Sequence, residues 1–120
     1  MADTLERIIN LSRDHILLVR PDHTLELVND RVGTLVGTDR RELIDRPVGE
    51  VLGPSVFGAE FRSNIDRCIS GEELRYAQSS RDGKDEELFD VHMIPFRNGD
   101  GAVTHALVFA RDIPGSEEHH

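Results

Sequence analysis

The chain has 120 residues but only one cysteine and no tryptophan. A single thiol, Cys68, excludes an internal disulfide and a cysteine-rich zinc site. No apolar run approaches the roughly 20 residues that a helix needs to cross a bilayer. We expect no signal peptide, because the apolar segment near Ile16 is short and follows a charged helix. We therefore expect a cytoplasmic domain, or the cytoplasmic part of a larger protein, with no membrane contact by this segment.

Positive charge is also scarce, because 14 Lys and Arg stand against 23 Asp and Glu and the formal net charge is −9. Charge-driven binding of nucleic acid requires clustered Lys and Arg, so we expect no nucleic acid among the partners. The G-x-x-x-x-G-K-[ST] loop that holds nucleotide phosphates is missing as well. The 38% of hydrophobic residues suffices for one folded domain with one core.

Hydrophobic periodicity and turn residues predict an α+β fold. Short helices are expected after Asn29 and after Asp39, and the longest helix is expected over residues 57–70, with an apolar stripe that ends before Gly71. The predicted strands cover residues 15–20, 25–28, 74–80, 87–96 and 102–113. Strands near both ends of the chain can share one five-stranded antiparallel sheet, with the short helices and the longer helix packed on one face.

The chain divides into three segments. Residues 1–13 are expected to form an amphipathic helix, because Leu5, Ile8 and Ile9 recur at helical spacing. Residues 14–113 form the domain itself. Residues 114–120 are expected to be a linker or tail and contribute nothing to the argument.

Several short motifs follow one another along the chain. They are, in chain order, Leu27-Val-Asn29, Gly37, residues 41–47, Gly71, Gly83 and residues 95–113 with the ending Arg111-Asp112-Ile113. Their order and spacing resemble a PAS domain over nearly the whole of residues 14–113, although Asp45 and Pro114 depart from the family pattern, where Gly and Thr are usual. The resemblance implies a sensory module rather than an enzyme, in which a small molecule acts on an output domain such as a kinase (as in a two-component system), a cyclase or a transcription regulator.

In this family a ligand lies between the sheet and the long helix. By analogy, the face of the last strand that carries Ala106 and Val108 points inward, where small side chains leave room for a guest. The alternative is that these side chains only allow close packing in a full core, and that Gln78 bonds to backbone or water. The residues that the resemblance assigns to ligand binding are Phe61, Ile65, Ile69, Tyr76, Gln78, Phe89, Val91, Met93, Ala106 and Val108.

The opposite face of the last strand then points outward with Leu107 and Phe109. An apolar outer face requires a cover, and the helix with Leu5, Ile8 and Ile9 is the expected one, from the same chain or from a homodimer mate. Asp112, at the exit of the last strand, is the expected point of coupling to an output domain.

The cofactor is left open, but two classes are not expected. Photoactive flavin members carry a cysteine motif before the long helix, where this chain has residues 52–57 without one. Haem-binding members usually supply a His from the long helix, and residues 57–70 contain none. Cys68 could serve as a thiolate ligand but is typical of plain core at that position.

His92 and His105 are expected to lie opposite or diagonal on one sheet face, where two imidazoles can form a metal site or a pH switch. The alternative, polar residues on a partly exposed face, is favoured, and we expect neither a metal site nor catalytic residues. Two other functions stay open: a ligand-free dimerisation or protein-interaction module, and a small enzyme of ketosteroid-isomerase or thioesterase shape.

Overall fold

The structure is a computed structural model that describes residue 11 and residues 13–53, 59–82 and 85–113. In these ranges five antiparallel strands form one sheet in the order β2-β1-β5-β4-β3. The predicted N-terminal helix with Leu5, Ile8 and Ile9, the tail, and Phe57 lie outside the described residues. The strands are β1 His15–Val19, β2 Leu25–Val28, β3 Leu74–Asp82, β4 Asp85–Arg97 and β5 Val103–Asp112.

In the described part of the chain, three helices lie between β2 and β3. A short 3₁₀ turn, Arg40–Glu42, lies between the first and the second of them. The helices are α1 Asp30–Val36, α2 Val48–Leu52 and α3 Ala59–Ile69. This arrangement confirms the predicted α+β fold with a five-stranded antiparallel sheet. No helix in the described part of the chain is both long and apolar enough to span a membrane.

The hairpin of β3 and β4 is longer than the sequence predicts. We expected β3 to end at Ser80 and β4 to begin at Glu87, but Asp82 is paired directly with Asp85. Because only two residues separate that last pair, the ladder continues to the tip of the hairpin.

Asn29 fixes the junction between the first hairpin and α1. Its side-chain oxygen caps the helix by accepting from the backbone N–H of Val32 and also accepts from that of Ile16 at 3.1 Å. Its amide nitrogen donates to the carbonyl of Asp14 at 2.8 Å. Asn29 is fully buried, so these bonds hold β1 and the start of α1 together inside the protein.

The long helix α3 ends as its glycine predicts. Gly71 has a φ of 116°, a region that residues with a Cβ rarely adopt. The N–H of Glu72 donates to the carbonyl of Arg67 and that of Gly71 to the carbonyl of Cys68, which is a Schellman end. His23, in the turn of the first hairpin, contacts Asp66 of this helix at 2.7 Å between Nε2 and Oδ1.

One hydrophobic core lies between the helices and one face of the sheet, which we call the inner face. The predicted stripe of α3 points into this core, since Phe61, Ile65 and Cys68 are buried. The sheet contributes alternating residues of its central strands, as a sheet covered on that side should. They include Leu17, Val19, Phe89, Val91, Met93, Ala106 and Val108.

Candidate functional site

The pairing of the strands lines up the inner-face residues in rows. Ala110 of β5 is paired with His15 of β1 on one side and with Val91 of β4 on the other, and Val91 is paired with Tyr76 of β3. Side chains of directly paired residues lie on the same face of a sheet. Gln78 and Phe89 form part of the next row towards the end of β5.

A cavity of about 40 Å³ lies between the inner face and the three helices. Every strand except β2 contributes to its wall. The side chain of Leu35 is 44% exposed and marks the side where the cavity meets the surface. The lining residues are His15, Leu17, Val32, Leu35, Leu52, Phe61, Gln78, Phe89, Val91, Val108 and Ala110.

His15 is the most deeply placed polar residue of this wall, with 5% of its surface exposed. Its Nδ1 lies 3.1 Å from the backbone carbonyl of Ala110. A carbonyl only accepts hydrogen bonds, so Nδ1 carries the proton. The ring stands edge-on to Phe89, with centroids 5.8 Å apart.

Gln78 and Tyr76 each bury a polar atom that has no hydrogen-bond partner among the described residues: Oε1 of Gln78 and the hydroxyl of Tyr76. The Gln78 amide nitrogen donates to the carbonyl of Ser79 at 3.0 Å, which fixes Oε1 as the inward atom. Burial raises the pKa of the Tyr76 hydroxyl, and the nearby Asn64 side chain offsets part of the rise without reaching hydrogen-bond geometry. Buried polar atoms without partners are uncommon in proteins, but both atoms are shielded from the cavity, whose exposed surface is entirely apolar.

Half of the residues assigned to ligand binding by resemblance line the cavity: Phe61, Gln78, Phe89, Val91 and Val108. The others do not line it. Met93, Ala106 and Ile65 are buried elsewhere in the core, and Ile69 and Tyr76 pack against it. The assignment of all ten to ligand binding stays a prediction.

Several lining residues were not predicted as site residues. Two of them could have been found from the sequence and two could not. His15 and Leu17 follow from alternation once β1 is placed beside β5, since they pair with Ala110 and Val108. Leu35 and Leu52 carry no such signal, because their place in the wall depends on how two short helices fold over the sheet.

The outer face of the sheet is also apolar. Leu107 and Phe109 lie on it, paired with Leu18 and Ile16 of β1. Both are partly buried, and Ile16 is only 5% exposed. All five residues of β1 are buried, which is the pattern of a strand covered on both faces.

The expected proximity of His92 and His105 is wrong. His92 is paired with Phe109, four residues along β5 from His105, a separation of about 13 Å at the usual rise of a strand. Each ring instead contacts a carboxylate at 2.6 Å, Glu73 and Glu26 respectively. Among the described residues no group of three or more His, Cys, Asp or Glu could hold a metal ion.

Cys68 is fully buried on α3. Burial raises the pKa of its thiol to about 11, and the charge of Glu73 adds to the rise. The thiol is therefore protonated at neutral pH, which favours the core interpretation of this residue over a thiolate ligand.

Asp112 lies at the end of β5, next to the cavity wall. Its carboxylate is 4.0 Å from Nδ1 of His15 and 4.0 Å from a guanidinium nitrogen of Arg31 on α1. The N–H of Ile113 still donates to Leu88, at 3.0 Å. The end of β5 thus contacts His15, a polar residue that lines the cavity.

A family model described as PAS fold matches residues 9–118. No curated protein matches the sequence significantly. Solved structures match the chain closely in backbone shape, but their sequence identities to it are low. The likeness therefore shows the fold and nothing about function.

Three of these structures illustrate the range. The VqmA dimer of Vibrio cholerae superposes with a TM-score of 0.76 at 15% identity, over 94% of this chain and 51% of that one. VqmA bound to DPO gives 0.75 at 15% identity, over 95% and 58%. The PAS domain of Bordetella pertussis BvgS gives 0.77 at 13% identity, over 93% and 85%. The chain therefore spans about half the length of VqmA.

Proposed function

The chain belongs to the PAS family, and from this premise we propose that it is the sensory module of a larger signalling protein. It binds a small organic molecule and relays the event to an output domain, which is a kinase, a cyclase or a transcription regulator. It performs no catalysis itself. That VqmA is a LuxR-type receptor with target DNA, and has been seen bound to DPO, supports a receptor role for a domain of this shape.

The observation that carries the proposal is the cavity against the inner face, whose lining is apolar apart from the residues His15 and Gln78. Mostly apolar pockets with a few convergent polar groups are typical of small-molecule sites. The present volume of about 40 Å³ is well below that of an apolar cavity of about 150 Å³ that accepts benzene. A ring-sized guest therefore requires Leu35 and Leu52, at the helical side, to move.

Such a movement supplies the relay. A guest favours whichever arrangement of α1 and α2 gives it room, and it shifts the population by its difference in affinity for the two arrangements. Arg31 on α1 lies within 4.0 Å of Asp112 at the exit of β5. A displaced α1 would change that contact, so the guest acts on the segment that leads out of the domain.

The test is a thermal titration of the chain with small metabolites and aromatic compounds, since a ligand that binds only the folded state raises Tm. Ala110→Leu would fill the cavity from the sheet side and should abolish the shift. Ala102→Leu, at an exposed position before the same strand, is the matched control and should keep it. A ligand that stabilises both variants equally binds elsewhere and contradicts the proposal.

A second candidate, an interaction module without a ligand, is favoured by the outer face. Ile16 is buried there although the described helices lie on the other side of the sheet. We propose that the amphipathic segment with Leu5, Ile8 and Ile9 covers Leu107 and Phe109, from the same chain or from a homodimer mate. Light scattering of the whole chain and of the variant Leu5→Asp tests this proposal. If the substitution dissociates a dimer, the segment covers the outer face of a homodimer mate. A dimer that the substitution leaves unchanged contradicts the role of this segment in the dimer.

A further inference from the structure

We infer that the guest of the cavity is an apolar molecule that carries no hydrogen-bonding group. This inference rests on the proposed function and names the ligand class of the same site. The surface that the described residues expose to the cavity is entirely apolar, although a histidine and a glutamine are among them. A guest contacts only this exposed surface, so the chemistry of the surface decides which guest binds.

His15 turns its polar side away from the cavity. Its Nδ1 donates to the backbone carbonyl of Ala110 at 3.1 Å, and its ring stands edge-on to Phe89 with centroids 5.8 Å apart. Because the exposed surface contains no polar atom, His15 contributes ring carbons to the wall and neither of its nitrogens.

Gln78 behaves in the same way. Its amide nitrogen donates to the carbonyl of Ser79 at 3.0 Å, and its Oε1 is buried where neither solvent nor the cavity reaches it. What it offers to a guest is therefore carbon. The other lining residues of the described part of the chain are Leu, Val, Phe and Ala, and none is Lys, Arg, Asp or Glu.

A polar group on the guest would be penalised at such a surface. A hydroxyl or amide would lose its hydrogen bonds to water and find no replacement, and a carboxylate or ammonium group would lose far more. Water meets the same obstacle. The volume of about 40 Å³ exceeds the roughly 10–15 Å³ that one water molecule occupies, but a buried water also requires two to four polar partners. An apolar guest therefore meets little competition from solvent.

Leu35 gives an apolar guest its way in. The side chain lines the cavity and is also 44% exposed, whereas Arg31 and Thr34 on the same helix are exposed and polar. An exposed leucine gains from contact with an apolar molecule, because the contact removes apolar surface of both from water. Leu35 thus joins the apolar wall to the outside without a polar barrier.

The experiment compares xenon, benzene, phenol and benzoate by ¹H–¹⁵N NMR of the whole chain, and the three aromatic probes also by isothermal titration. Xenon tests the cavity at its present size, and the aromatic probes share one ring and differ in their polar group. We expect xenon to shift amide signals of the cavity wall and benzene to bind at least about tenfold more tightly than phenol, a ratio that one unsatisfied polar group supports. Benzoate should not bind.

The variant Val108→Thr places a hydroxyl in the wall and keeps the branched shape of the side chain. It should weaken the binding of benzene and bring the affinities of benzene and phenol closer together. The matched control is Val103→Thr, at a half-buried position of the same strand that does not line the cavity, which should leave the ratio unchanged. If Val108→Thr does not fold, the ratio in the unaltered chain decides the question by itself.

The outcomes separate this inference from the proposed function. Equal affinity for benzene and phenol, or tighter binding of phenol or benzoate, with signals that shift at the cavity wall, overturns the apolar class and leaves a small-molecule receptor of another class. If none of the four probes shifts signals of the cavity wall, the result counts against the receptor function as well, and the inference falls with it.

Discussion

The imidazole of His15 donates a hydrogen bond from Nδ1 to the backbone carbonyl of Ala110, 3.1 Å away, its direct neighbour across β1 and β5. The bond joins the first strand to the last by a side chain as well as by the ladder. Because His15 also lines the cavity and stands 4.0 Å from Asp112, the two strands, the cavity and the end of β5 meet at one residue.

We predict that His15→Phe lowers the free energy of unfolding by about 1 kcal/mol, the usual net value of one buried hydrogen bond. A phenyl ring fills the same space and keeps the edge contact with Phe89, so no large cavity is added. Urea unfolding measures the loss. His92→Phe, at a more exposed site, is the control and should change stability by less than about 0.5 kcal/mol. An equally or more stable His15→Phe would show that the bond contributes nothing.

Asn29 is predicted to be the most sensitive polar residue outside the cavity. Asn29→Ala removes a helix cap, at about 0.5–2 kcal/mol, and also leaves the N–H of Ile16 and the carbonyl of Asp14 without their side-chain partner. We expect a total loss of about 2–4 kcal/mol in urea unfolding.

The control for Asn29 is Asp39→Ala. Asp39 caps the 3₁₀ turn in the same way, by accepting from the N–H of Arg41 at 2.9 Å, but it is exposed. Water can replace its bond, so a loss of about 1 kcal/mol or less is expected. Equal losses at the two positions would contradict the role assigned to the burial of Asn29.

The order of the elements could be predicted from the sequence because local signals fix it. Asn29 and Gly71 bound their helices as caps do, and alternation along β5 places Ala106 and Val108 on one face and Leu107 on the other. These signals act between neighbours in the chain, where spacing alone determines geometry.

The cavity could be predicted only in part, because long-range packing forms it. His15 reaches the wall through a pairing with Ala110, 95 residues away, and Leu52 reaches it through the fold of a five-residue helix. The error over His92 and His105 has the same origin. Both lie on one face as alternation requires, but the register of β4 against β5 separates them by four residues.

Acid should weaken the contact between the first hairpin and β5. Hydrogen bonds from His105 and Arg20, of which that of His105 has the larger effect, hold the pKa of Glu26 below its usual value. A lowered carboxylate pKa stabilises the fold at pH above the pKa of an unperturbed glutamate, about 4.3 in unfolded chains, and the contribution is lost as the pH falls below that through the lower folded pKa. We expect Glu26→Gln to unfold with a shallower decline of stability in that range.

A double-mutant cycle tests the cause of the Glu26 effect. The side chain of Glu26 is 45% exposed, so its coupling to His105 should stay below about 1 kcal/mol at neutral pH. His105→Gln should reduce the acid decline as Glu26→Gln does, and the double variant should add little more. Additive effects would mean that the two residues act independently.

Tyr76 offers a prediction of the opposite sign, a substitution that stabilises. Its hydroxyl is buried without a partner among the described residues, and burial raises its pKa, so it stays protonated. The hydroxyl has therefore lost its hydrogen bonds to water without gaining one inside the protein. Tyr76→Phe removes that penalty and keeps the ring, and we expect a gain of up to about 1–2 kcal/mol in urea unfolding. Tyr76→Leu, which also removes the ring and its packing against the core, should instead destabilise. If Tyr76→Phe costs about 1 kcal/mol or more, the hydroxyl has a bound water as its partner, and the assignment of an unsatisfied group is wrong.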